Sequence, residues 1–192
     1  MVKVIGLTGS IACGKSTVSQ YLITHGYKVL DADCISKEAL NPGTSCFFEV
    51  ERLFQCVENG VVNRQKLGQI VFADHEKLRL LNQIMHPAVK ASIVKMIQEQ
   101  EESQTTYFVI EAALLIEEQY HLICDELWYI YCDENIRRER LKSSRGYTDE
   151  KINAIMGSQL SEQNFRKECQ IMIDNSGDFE DTCYQIDKAM KC

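Results

Sequence analysis

Nine residues near the start, Gly9-Ser10-Ile11-Ala12-Cys13-Gly14-Lys15-Ser16-Thr17, constrain this chain more than any others. They follow the pattern glycine, four free positions, glycine, lysine, then serine or threonine, which works at the junction of a buried strand and a helix. Gly9 and Gly14 let the backbone double back with its N–H groups turned toward an anion and no side chain in the way. Lys15 has the length to reach the outer phosphates of a triphosphate, and the Ser16 hydroxyl is placed to ligate Mg²⁺. The flanks supply the required context. Val2-Lys3-Val4-Ile5-Gly6-Leu7 reads as a buried strand, and the segment from Lys15 onward, with Val18, Tyr21 and Leu22 on one face, reads as a helix stopped by Gly26. Strand, glycine loop and helix together predict an α/β fold with a nucleotide at the loop, held by Gly9, Ala12, Cys13, Gly14, Lys15, Ser16 and Thr17.

A chain of 192 residues has room for one α/β body with inserted subdomains. Its net charge of −7 sets no positive field for a nucleic-acid backbone, which argues against general nucleic-acid binding. No apolar run approaches the ~20 residues that span a bilayer. The first residues enter a strand directly, without a signal-peptide pattern, so the expectation is a cytoplasmic protein with no membrane partner. The nine cysteines are odd in number and form no CxxC pair, which predicts reduced thiols packed as small apolar residues rather than a zinc site. Cys13 stands apart because it lies inside the loop, where the local field is expected to lower its pKa.

Further along, Lys28-Val29-Leu30 is a second strand running into Asp31-Ala32-Asp33. Alternation along a strand would turn Asp31 and Asp33 to the same side, at the end where ligands bind in such sheets. Asp33 has a second reading, as the N-cap of a following helix. Asn41-Pro42-Gly43 breaks the chain, and helical patterns then dominate, with a long helix from about His75 to Glu102 interrupted at His86-Pro87. Tyr107-Phe108-Val109-Ile110 resumes the sheet and leads into Glu111, and Glu126 to Tyr131 adds another strand. Between Arg137 and Arg145 lie five basic residues within nine, either a solvated helix face or a lid closing over phosphates about a Gly146 hinge. A last strand runs from Cys169 to Asn175, and Asp178 caps the closing helix.

Taken together, these segments resemble the dephospho-coenzyme A kinase family nearly end to end. The opening Gly6-Leu7-Thr8-Gly9 with its loop, Asp31-Ala32-Asp33, Arg64 followed by Val71-Phe72, His86-Pro87, Leu114-Leu115 with Glu117, and Asn175-Ser176-Gly177 occur in the family's order. Two departures stand out. Glu111-Ala112-Ala113 replaces the family's commoner Asp-x-Pro before Leu-Leu, keeping the charge on a longer arm that could contact metal or water. The spacing from Arg140 to Arg145 is one residue longer than the commoner lid pattern.

The resemblance implies a three-layer αβα phosphate-loop kinase with a five-stranded parallel sheet. Its core would be residues 1–33, 105–133 and 169–192, with a helical acceptor-binding insertion at 34–104 and a lid at 134–168. It implies transfer of the γ-phosphoryl of ATP to the ribose 3′-hydroxyl of dephospho-coenzyme A, the last step of coenzyme A synthesis, with Mg²⁺ travelling on ATP. Asp33 would serve as base, with Lys15 and Arg140 on the phosphates and Asn175 near the adenine. Asp31, Arg64, Phe72, His86, Leu115 and Glu117 would hold the acceptor, and Ser16 with Glu111 the metal. The expected assembly is a monomer or weak homo-oligomer. A nucleoside monophosphate kinase shares the loop and lid but would differ in the acceptor pocket. A GTPase switch would want an Asn-Lys-x-Asp motif, which the chain lacks, and a catalytically dead binding module would more readily have lost Lys15 or Asp33.

Overall fold

In the computed structural model, which describes residues 2–102 and 106–191, the chain divides into two units. One contains the residues up to Leu30 and from Gln100 onward, and the other is Asp31–Glu99. The expected end of the insertion at residue 104 lies outside the described residues, as does Cys192. The basic segment 134–168 belongs to the first unit rather than forming a third.

The sheet is built on β1 (Lys3–Thr8), whose residues after Lys3 are all buried, so its sequence reads as a continuous apolar run. β5 (Tyr107–Glu111) lies on one side of it and β6 (Glu126–Tyr131) on the other, both parallel to it. β2 (Lys28–Asp31) and β7 (Ile171–Asp174) are the outer strands, giving the order β2-β5-β1-β6-β7. Because β5 and β6 flank β1, the loop leaving the carboxyl end of β1 stands at the point where the strand order reverses, the place such sheets bind ligands. Helix α1 (Lys15–Thr24) buries Val18, Ser19 and Leu22. Val18 and Leu22 join Leu7, Trp128, Ile130 and Ile173 in the main core, to which α9 (Phe179–Ala189) contributes Ile186. α6 (Glu134–Arg145), α7 (Asp149–Gly157) and α8 (Glu162–Glu168) lie between β6 and β7 in the chain. Gly146, expected as a hinge, is the C-cap of α6 at φ 61°, its N–H returning to the carbonyls of Leu141 and Lys142. A left-handed cap explains that glycine without any motion.

The second unit holds α2 (Ala32–Glu38), α3 (Ser45–Phe54), the β3–β4 hairpin (Val57–Glu58 and Val61–Val62), α4 (Arg64–Phe72) and most of α5 (His75–Glu102). Its own core gathers Val50, Phe54, Cys56, Leu67 and Val71, with Leu78, Leu81 and Ile84 of α5 packed on them. Two expectations change here. α5 runs unbroken for 28 residues with Pro87 inside it, so the proline costs the helix its bond to the Gln83 carbonyl without ending it. The strand carrying the acidic pair stops at Asp31, which is the N-cap of α2 and accepts from the Cys34 N–H at 3.1 Å. Asp33 is therefore in the first turn of a helix, and strand alternation does not pair its side chain with that of Asp31.

Candidate nucleotide and acceptor sites

The loop between β1 and α1 is shaped by close approaches that only glycine permits. A Cβ on Gly9, at φ 154°, would meet the Ile130 carbonyl oxygen at 2.5 Å and the Cys13 sulfur at 2.9 Å. On Gly14, at φ 94°, it would lie 2.1 Å from the Asn175 amide nitrogen. Gly14 is also the N-cap of α1 and has no side chain to cap it. By contrast Asp31, Thr44, Asn63, Asp133, Thr148 and Ser161 each cap their helix through a side-chain oxygen. The Thr17 N–H returns to the Gly14 carbonyl at 3.0 Å, and the amides of Lys15 and Ser16 ahead of it are left for an anion, with the positive end of the helix behind them.

Around this mouth the first unit assembles the side chains that carry the charge. Lys15 Nζ lies across the loop, donating to the Gly9 carbonyl at 2.8 Å and the Ser10 carbonyl at 3.4 Å. Glu111 ends β5 beside Leu7 of β1 and accepts from Ser16 Oγ at 3.2 Å and Ser19 Oγ at 2.5 Å. The longer arm of glutamate thus spans two hydroxyls one helical turn apart, and Ser19, overlooked in the sequence, follows from the three-residue spacing on one helix face. Hydroxyl and carboxylate oxygens are the hard donors that suit Mg²⁺. Among the described residues no three histidine, cysteine or acidic side chains cluster as a metal site.

Of the five basic residues of α6, Arg140 reaches the loop. Its guanidinium donates to the Ala12 carbonyl at 3.2 Å and the Asn175 carbonyl at 3.1 Å. The others are engaged elsewhere. Arg137 donates to the Cys132 carbonyl, Arg138 pairs with Glu134, Lys142 pairs with Asp149, and Arg145 lies over the Tyr147 ring.

Three expected site residues have buried side chains. Asn175, 5% exposed, spends its side chain on the Cys13 carbonyl at 2.8 Å and on the Thr182 hydroxyl at 3.1 Å, and so holds the loop. Leu115 is wholly buried, with its methyl groups packed beneath Gly6, and its side chain cannot meet an acceptor. Cys13 is 1% exposed, and burial pushes its thiol up in pKa, outweighing the opposing pull of Lys15. The field of the loop acts in the expected direction, but desolvation wins. Glu117 is exposed in the turn after β5.

In the second unit, Arg64 and Phe72 come together on an apolar cavity of 320 Å³ with Leu40, Leu67, Val71 and Met85. Phe72 is 86% exposed and its ring lies over Gly68, while Arg64 donates to the Lys37 carbonyl at 3.1 Å. An exposed aromatic beside an arginine at the rim of an apolar cavity fits a ligand with both apolar and anionic parts. His86 is not part of this cavity. It lines a separate open groove of 480 Å³ on α5 with His75, Arg79 and Pro87.

The sequence pattern that defines the dephospho-CoA kinase family matches residues 3–181. A dephospho-CoA kinase of Carboxydothermus hydrogenoformans is 38% identical over 189 residues, covering 97% of this chain and 92% of that protein. A crystal structure from Thermus thermophilus superposes with a TM-score of 0.86 at 29% identity, covering 99% of this chain and 96% of that one. Dephospho-CoA kinase from Campylobacter jejuni shares the fold, with a TM-score of 0.76 at 24% identity over 100% of this chain and 96% of its own.

Proposed function

Since the chain belongs to the dephospho-CoA kinase family, we propose that it moves the γ-phosphoryl group of ATP to the ribose 3′-hydroxyl of dephospho-CoA, giving CoA and ADP. The observation that carries this reading is the convergence on one uncapped helix terminus of Lys15, Arg140 and the Ser16–Glu111 pair. Phosphoryl transfer asks for positioning and charge neutralisation more than for covalent chemistry, and these groups supply both. Lys15 leaves the Gly9 carbonyl for the outer phosphates, and Arg140, already on the loop at Ala12, faces the charge that develops on the leaving oxygen. Ser16 and Glu111 would hold Mg²⁺ that arrives with ATP, which supplies neutralisation between the phosphates. Asp33 accepts or orients the proton of the attacking hydroxyl. Arg64 and Phe72 take the acceptor, the guanidinium for a phosphate of its diphosphate and the ring for a base or apolar arm. Asp31 caps α2 and through it sets the place of Asp33.

A coupled ADP-release assay with Mg-ATP and dephospho-CoA, AMP, CMP or no acceptor tests the reading. The expected result is ADP formed with dephospho-CoA alone, and a product with the mass of CoA. Turnover with a nucleoside monophosphate instead would overturn the acceptor assignment, and nucleotide binding without acceptor-dependent ADP would overturn the reaction.

A further inference from the structure

Three consecutive residues of the phosphate loop are each gripped by a side chain from a different later segment. Gln159 Oε1 accepts from the Ile11 N–H at 2.9 Å, Arg140 donates to the Ala12 carbonyl, and Asn175 donates to the Cys13 carbonyl. The kinase reading gives Arg140 a task and the loop's packing explains Asn175, but Gln159 is accounted for by neither. We propose that Gln159 is a positioning residue for the phosphate loop, its carboxamide oxygen fixing the Ser10–Ile11 peptide so that the following amides converge on the triphosphate.

The backbone itself calls for such a grip. Ala12 has φ 60°, a left-handed conformation that a residue with a Cβ keeps only where its surroundings impose it. Arg140 pins the peptide that follows this residue, and Gln159 pins the Ser10–Ile11 peptide one residue ahead of it. Gln159 is also held in place from behind. It follows the C-cap of α7, and its N–H bonds to the Met156 carbonyl at 3.3 Å. α7 is braced against α6 where Arg138 donates to Asn153 at 2.7 Å and Lys142 pairs with Asp149 at 2.8 Å. One braced pair of helices therefore delivers two grips, Arg140 and Gln159, to adjacent loop residues. The choice of an uncharged acceptor fits the ligand, because a carboxylate at this position would hold the same N–H while repelling a polyanion.

This inference rests on the kinase reading for its purpose, but its test needs no acceptor substrate. Q159M keeps the shape of the side chain and removes the acceptor, and Q159N keeps the amide but falls one methylene short. For each, Mg-ATP and adenosine affinities are measured by calorimetry, together with the unfolding midpoint and hydrogen exchange at the Ile11 amide. Both variants should weaken Mg-ATP binding about 2–12-fold, the worth of one neutral hydrogen bond. Exchange at Ile11 should quicken while adenosine affinity and the midpoint stay as in the wild type. Q159E should keep the Ile11 amide protected yet lose Mg-ATP affinity, more at low salt than at high. Wild-type Mg-ATP affinity in Q159M and Q159N, or an equal loss for adenosine and Mg-ATP, would overturn the proposal. Failure of the wild type to form ADP with dephospho-CoA would instead overturn the reaction and leave this result standing.

Discussion

Individual residues in this site separate into those that face the ligands and those that hold the loop. Asp33 is assigned to the first group, and Asp33→Asn keeps its shape while removing the base. It should lower kcat by about 10²–10⁴-fold with Mg-ATP affinity retained, and near-normal turnover would strike Asp33 from the mechanism. Asn175 belongs to the second group. Asn175→Ala leaves the Cys13 carbonyl without its donor, and should cost about 1–3 kcal/mol of stability in chemical denaturation along with nucleotide affinity. The spacing of Gly9, Gly14 and Lys15 was legible because the requirement is local. The second reason Gly14 admits no side chain, beyond its φ of 94°, was not, since that obstacle is Asn175, far along the chain. Glu111 shows the same limit. Its charge could be read from the sequence, but its grasp of both Ser16 and Ser19 depends on β5 lying beside β1.

Elements were read well where one period ran long and poorly where two signals competed. Asn59-Gly60 is the pairing that favours a tight hairpin turn, and both residues have positive φ between β3 and β4. Strands of two residues gave no alternation to support that signal. Pro87 was read as a break, yet the contacts of Leu78, Leu81 and Ile84 on one side and the buried Val89 and Ile93 on the other keep α5 continuous through it. Pro87→Ala restores the bond to the Gln83 carbonyl, and should raise stability by about 1–2 kcal/mol after the loss of unfolded-state restraint is deducted. Denaturant melting is the measurement, and no gain would mean that the proline ring packs in the groove it lines. The brace between α6 and α7 carries a pH signature. The hydrogen bond from Lys142, with the positive charges of Lys142 and Arg138 beside it, holds the Asp149 carboxyl below its usual range. A depressed folded value means that its stabilising contribution is present above the unfolded value of about 3.9 and is lost as pH falls through the folded one. Exchange protection in α7 should therefore decline below about pH 4 in the wild type, and the decline should be smaller in Asp149→Asn, where only the Glu150 carboxyl, also held below its usual range by hydrogen bonds at the helix start, still titrates in that turn.

For the molecule as a whole, the thiols report which parts of the chain are closed to water. Cys13, Cys46, Cys56 and Cys132 are buried and Cys34 is exposed, and all the described cysteines are free. Native labelling with a thiol reagent should modify Cys34 first and leave Cys13 untouched even without nucleotide, its thiol raised by burial. Labelling of Cys13 at a rate near that of Cys34 would mean that the loop opens far more often than its packing implies. The order of strands and helices was largely written in alternating apolar runs and glycine breaks, because those patterns answer to the sheet. The division at Asp31 and Glu99 lies three to five residues from the 34–104 bounds read in the sequence, because its exact edges depend on which apolar faces find each other. The grips on Ile11, Ala12 and Cys13 by Gln159, Arg140 and Asn175 also set a timetable for the newborn protein. The loop leaves the ribosome well ahead of the segments that grip it, and its last grip is made only when Asn175 follows. At synthesis rates of about 5–20 residues per second, that delay is roughly 10–30 s, during which the nascent chain carries its nucleotide motif without a finished nucleotide site.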